Sequence, residues 1–191
     1  LPTRTTSGYN QVYTVYGTGD VEITSTLKPG SADLPMIPEI GNMLTIPKDF
    51  SNITWYGRGP EENYIDRQTG YGVGVYRKNV DEFFIDYIKP QESATRCDTR
   101  FAEITDKDGF GLRFNAINNP FIFSASRYTS NQWAKAMHRE ELVDMPTTCV
   151  NLDAAVLGAG SNACGPLPNK NDRVGSLNGK KLSFTIQPIG D

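Results

Sequence analysis

An all-β domain, an antiparallel sandwich with one short helix, is what these 191 residues encode. Ten short segments are rich in Val, Ile, Thr, Tyr and Phe, the residue types that fit a pleated, half-buried surface. Two Gly-containing reversals each join neighbouring segments, and 18 glycines with 12 prolines punctuate the chain too often for long helices. Many strands with hardly any helix imply two packed antiparallel sheets.

Residues 11–16 and 21–27 read as strands, and Gly17-Thr18-Gly19-Asp20 between them can supply the positive φ angles of a hairpin. Pro29, Pro35, Pro38 and Pro47 flank residues 34–46 and exclude helix there, leaving a strand at 43–46. Strands follow at 53–56, 73–77, 100–105, 111–116, 121–127, 149–153 and 182–187. Asn52-Ile53-Thr54 is a strand beginning rather than a glycosylation signal. Asp106-Lys107-Asp108-Gly109 makes the second hairpin; Phe110 and Ile117 stand where a calcium loop needs ligands. The helix is expected over 131–137, with Ser130 capping its first turn and Trp133 and Met137 sharing a face at i, i+4. Two long connections remain, 57–71 and 154–178, and loops of that length usually carry function.

Composition narrows the function classes. Lys plus Arg number 19 against 22 Asp plus Glu, and the net charge of −3 offers no general attraction for nucleic acid or anionic lipid. No stretch approaches the roughly 18 consecutive apolar residues of a membrane span, so a soluble protein of the cytoplasm or periplasm is expected. Cys97, Cys149 and Cys164 allow one bridge at most and lack the spacing of a zinc site. A chain opening on Leu1-Pro2-Thr3-Arg4, with neither initiator Met nor signal sequence, reads as a piece of something longer.

Candidate chemistry is sparse. Gly158-Ala159-Gly160-Ser161-Asn162-Ala163 matches the letters of a dinucleotide fingerprint, but Cys164-Gly165-Pro166-Leu167-Pro168 follows where a helix must begin, so a backbone-flexible loop is expected. The single histidine, His138, is read as a solvated or capping residue at the end of the short helix. Glu61-Glu62, Asp81-Glu82 and Glu140-Glu141 are sequence neighbours that point apart on a strand, and none forms a facing acid pair for glycoside hydrolysis. The densest constellation is WYGRGPEENYIDR at 55–67. It suits a sugar site built of aromatic faces and planar polar groups, and equally a self-satisfied polar loop with Arg58 and Arg67 paired to Glu62 and Asp66; the residues alone slightly favour the second.

That run, followed by Tyr87-Ile88-Lys89-Pro90-Gln91-Glu92, Arg96-Cys97-Asp98-Thr99-Arg100, Phe123-Ser124-Ala125-Ser126-Arg127-Tyr128, Asn151-Leu152-Asp153 and the loop 158–166, resembles the C-terminal domain of the multidomain β-galactosidases of glycoside hydrolase family 2. The ordered matches cover nearly the whole chain. The resemblance implies a galactose-mutarotase-like β-supersandwich, with residues 1–191 a single domain cut from a larger glycosidase and its leading strands missing before Leu1. It implies that the catalytic glutamates and their metal site lie in a barrel domain elsewhere. This segment alone is then inactive and holds no cofactor, while the parent enzyme uses magnesium and sodium. The segment contributes one wall of the galactoside pocket through the loop around Cys164, where the best-known members carry a tryptophan. A thiol offers no aromatic platform, a difference of about 1 kcal/mol. Cys164 is expected to act as a small apolar contact, with Ser161 and Asn162 as polar ones. Arg58, Glu62, Asp66 and Arg67 are expected to fix the 57–71 loop, with Trp55 and Tyr56 anchoring it to the core and Arg96 and Arg100 joining the network. Expected partners are galactosides, the remaining domains of the parent and a second copy in a homo-oligomer. The competing readings are a free-standing mutarotase-like aldose epimerase, which polarimetry on fresh α-galactose would reveal, and a non-catalytic carbohydrate-binding module, which titration with galactose or lactose would reveal.

Overall fold

In the computed structural model, which describes residues 6–30, 36–159, 168–174 and 179–190, the chain folds into two antiparallel sheets over a shared core. The strands are β1 (Gly8–Val15), β2 (Val21–Lys28), β3 (Glu39–Pro47), β4 (Asn52–Gly59), β5 (Gly72–Asn79), β6 (Arg96–Thr99), β7 (Phe101–Thr105), β8 (Gly111–Ala116), β9 (Phe121–Ser126), β10 (Thr147–Val156) and β11 (Lys181–Ile189). Seven of them form one sheet in the order β1-β2-β11-β8-β7-β4-β5, and four form the other in the order β3-β10-β9-β6. The fold expected from the strand pattern, an all-β sandwich with one short helix, is the one observed.

Alternation decides which side chains enter the core. On β2 the inward positions are Ile23, Ser25 and Leu27, all buried, and on β10 they include Val150 and Leu152. Between the sheets lie Ile53, Trp55, Ile104, Phe114, Phe121, Phe123 and Phe184, with Phe83 closing one side. Trp55 and Phe83 meet edge to face at 5.1 Å, and Phe83 meets Phe123 at 5.6 Å, geometries that add to area burial.

Both hairpins form at the expected turns, with Gly19 at φ 92 and Gly109 at φ 89, where only glycine is unstrained. Asp106 Oδ1 accepts from the amides of Asp108 and Phe110 at 2.9 and 3.0 Å, fixing the second turn.

Three details differ from expectation. The strand expected at 100–105 is preceded by a separate one: β6 belongs to the small sheet and β7 to the large one, and the chain crosses over at Asp98 (φ 53), Thr99 and Arg100. Apolar alternation does not report a change of sheet. The helix α1 spans Ser130–Lys135 and is capped by Thr129, whose Oγ1 accepts from the Gln132 amide at 3.2 Å. It ends because Ala136 is extended, so Met137 lies outside it, exposed. His138, also extended, opens a turn of 3₁₀ helix and makes no capping bond, so it does not stand at the end of α1.

Candidate functional site

The connection after β4 is built on a buried carboxylate. Glu62, 3% exposed, accepts from Ser93 Oγ and the Ala94 amide, each at 3.1 Å, and from the Arg67 guanidinium and the Tyr87 hydroxyl. Four donors on one carboxylate leave little of its acceptor capacity unmet. Asn63 extends the seam: its Oδ1 accepts from the Cys97 amide at 2.8 Å and its own amide donates to Thr95 O at 2.9 Å. Residues 62–63 are thereby stitched to 93–97.

Arg96, with no accessible surface, lies beneath. It donates to the carbonyls of Pro60, Thr95 and Phe83, each at 3.2 Å, while its guanidinium lies 4.1 Å from the Phe83 ring centroid and 5.3 Å from that of Trp55. Loss of hydration pushes its pKa down to about 10, with Glu62 the first of the acids opposing the shift.

The four residues expected to fix this loop act at different places. Arg67 binds Glu62 and lies 5.1 Å from the Tyr64 ring centroid. Arg58 pairs with Asp98 at 2.6 Å rather than with Glu62 or Asp66, and donates to the carbonyls of Gln68 and Tyr71, which ties the strand to the far end of the loop. Asp66 turns outward to the second long connection, where its Oδ1 accepts from the Ala159 amide at 3.1 Å. Of the expected aromatic anchors, Trp55 is in the core and donates to Arg58 O at 2.9 Å, whereas Tyr56 is on the outer sheet face beside Phe101, under the Arg100 guanidinium.

The second connection is held at its entrance by three successive amides, each bound to a different segment. Leu157 donates to Pro38 O at 2.7 Å, Gly158 to Asp172 O at 2.9 Å, and Ala159 to Asp66. Glycine is required at 158, because a Cβ there would lie 2.8 Å from Asp66 Cγ and 3.0 Å from Asp172 O. Ser161, Asn162 and Cys164, the residues expected to meet galactoside, lie outside the described residues.

Beside this junction is a cleft of about 200 Å³ lined by Tyr64, Arg67, Tyr87, Gln91, Glu92 and Ala159. The Tyr64 hydroxyl is buried without a hydrogen bond of normal geometry, and burial raises its pKa. Glu92 is exposed, but its carboxyl is crowded by protein, and the resulting loss of hydration, followed by the negative charge of Glu39, raises its pKa to about 7; the Thr95 hydroxyl, 3.3 Å away, opposes the shift. Asp153 on β10 is the other perturbed acid. Burial is the first cause of its raised pKa, the neighbouring Glu39 carboxyl the second, and its Oδ1 has no hydrogen-bond partner. It sits opposite Gly41 of β3, where a Cβ would come within 1.8 Å of Oδ1.

Tyr64, Tyr87, Glu92 and Asp153 were not singled out in the sequence as site residues. Glu92 and Tyr87 lie in a stretch without periodicity, and nothing in the alternation of 149–153 reports that the face away from the core is covered at Asp153. Other acids of the neighbour pairs serve structure: Glu61 binds Lys78 and Asp81 binds Arg127. Among the described residues no cluster of three or more His, Cys, Asp or Glu side chains could hold a metal, and no helix is long and apolar enough to cross a membrane.

Two antiparallel sheets with a polar cleft where two long connections meet define the class as a β-sandwich. Residues 2–187 match the family described as the beta galactosidase small chain, and the chain belongs to that family. A β-galactosidase of Streptococcus thermophilus is 33% identical over 192 residues, covering 93% of this chain and 19% of its own length. One from Lactobacillus delbrueckii subsp. bulgaricus is 30% identical over 189 residues, covering 99% and 18%, and one from Halalkalibacterium halodurans is 32% identical over 152 residues, covering 78% and 15%. The chain thus spans less than a fifth of the length of these relatives.

Proposed function

We propose that residues 1–191 are one domain, the C-terminal part of a larger multidomain β-galactosidase, and that they complete its galactoside pocket while the catalytic glutamates stand in another domain. The observation that carries this reading is the triple tether at 157–159. It fixes the launching point of the segment bearing Ser161, Asn162 and Cys164, as a wall that must meet substrate reproducibly requires. The use of Glu61, Glu62 and Asp81 in ion pairs fits a domain whose acids hold structure rather than break glycosidic bonds. Magnesium and sodium, if the parent uses them, belong with those glutamates.

The test uses the full-length polypeptide. Replacing Ser161, Asn162 and Cys164 together by Ala should raise KM for a nitrophenyl β-galactoside by roughly tenfold, the loss of one to two weak contacts, with a smaller change in kcat. Replacing Cys164 alone by Trp should lower KM by supplying a ring. An unchanged KM in the triple variant, or turnover by the 191-residue segment alone, would refute the proposal.

A further inference from the structure

The cleft beside the Asp66–Ala159 junction holds more polar capacity than the loop network consumes. Of the side chains that line it, Arg67 and Tyr87 are committed to Glu62. Three others are not. The Tyr64 hydroxyl is buried without a hydrogen bond of normal geometry, whereas buried polar atoms in folded proteins are almost always paired. Glu92 and Tyr87, both cleft residues, are among the groups that act on this hydroxyl electrostatically, so it stands at the floor of the cleft. Gln91 is exposed, and its amide makes no hydrogen bond among the described residues. Glu92 accepts from the Thr95 hydroxyl at 3.3 Å, which uses a fraction of what a carboxyl can do.

The chemistry of these groups selects a ligand class. Arg67 and Glu62 cancel each other's charge, and a carboxyl raised to about 7 at Glu92 is only partly ionised near neutral pH, so the cleft favours neither a cation nor an anion. A phenol, a partly protonated carboxyl and a primary amide each donate and accept. Alcohol groups ask for both at once, because every hydroxyl is donor and acceptor together. The half-buried Tyr87 adds an aromatic body beside these groups. The volume of about 200 Å³ is enough for one ring, since roughly 150 Å³ accommodates a six-membered one.

We infer that this cleft is a binding site for a neutral pyranose, held through its hydroxyls by Tyr64, Gln91 and Glu92, with its C–H face against Tyr87. The inference goes beyond the galactoside wall assigned to residues 161–164 and uses no contact of Ser161, Asn162 or Cys164. A failed KM test leaves it standing, and its own failure leaves that proposal standing.

Saturation-transfer NMR on the full-length polypeptide tests it, with methyl β-glucoside, a neutral pyranoside that is not a galactoside, as the probe. The wild type should give a saturable signal. Tyr64→Phe removes only the unpaired hydroxyl and should weaken binding by roughly fivefold to tenfold while Tm holds or rises, because a buried group without a partner has been deleted. Glu92→Ala, at an exposed position, should weaken binding by a similar factor. The Ser161, Asn162 and Cys164 triple alanine variant should bind as the wild type does. Methyl β-glucuronide, the same ring bearing a carboxylate, should bind more weakly at pH 8, where Glu92 is ionised. The inference is overturned by the absence of a saturable signal, by binding indifferent to both cleft variants, or by binding lost in the triple variant. Tighter binding of the glucuronide would also overturn it, as would a Tyr64→Phe variant that melts well below the wild type, since the hydroxyl would then already have its partner within the protein.

Discussion

Glu62 and Asp153 are both acids with 3% of their surface exposed, yet they are satisfied in opposite ways. Glu62 meets a guanidinium, two hydroxyls and a backbone amide. Asp153 meets another carboxyl, the edge of Gly41 and no donor at Oδ1. Burial alone therefore does not decide how an acid is accommodated; the donors converging on it do. Where donors converge, the carboxylate organises a loop. Where they do not, burial raises the pKa of the acid, and its charge becomes sensitive to pH.

The contrast can be broken by substitution, and the greatest effect is expected at the satisfied acid. Glu62→Ala strands two buried donors, the half-buried Tyr87 hydroxyl and an arginine, and should lower stability by about 3 kcal/mol, or roughly 6–12 °C in Tm for a domain of this size, read by calorimetry. Arg96→Lys comes next. Lysine cannot reproduce a planar fork over Phe83 that serves three carbonyls, and about 2 kcal/mol should be lost. If either variant melts like the wild type, the polar floor does not organise the loop.

At the other acid, pH is the probe. Asp153 and Glu92 have folded-state pKa values above their unfolded ones, so the folded state holds more protons. Their contribution is fully present below about pH 4, near the unfolded values. It is lost as pH rises through the folded values, about 7 for Glu92. Tm should accordingly fall between about pH 5 and pH 8, and Asp153→Asn, neutral at every pH, should flatten that slope while changing stability at pH 5 by about 1 kcal/mol or less. A slope unchanged by Asp153→Asn would remove Asp153 from the account. A comparably small effect belongs to Arg67→Ala. With 41% of its side chain exposed, this arginine is screened by water, and about 1 kcal/mol is expected, without a change in KM for galactoside in the full-length polypeptide.

Much of the sandwich was legible because alternation and turn chemistry are local. Gly19 and Gly109 mark their reversals in any context, and the alternation around Ile23 or Ile104 needs only one buried face. What stayed hidden depends on distance along the chain. Arg58 finds its acid 40 residues away at Asp98, across a crossover between sheets that no periodicity records. Thr129 rather than Ser130 caps α1, a choice between adjacent hydroxyls that backbone geometry makes. In the candidate site, the two long connections could be identified by length alone, but their union through Asp66 and Ala159, 93 residues apart, could not.

The three successive amides of 157–159 have a consequence for how this domain can vary. Each leans on a different stretch of chain, so the footing of the segment beyond is shared among Pro38 at the edge of β3, Asp66 in the first loop and Asp172 farther along the same connection. A segment with such an independent foothold can change its letters without shifting its point of departure. Sequence beyond residue 159 can therefore vary while the scaffold that launches it stays unaltered.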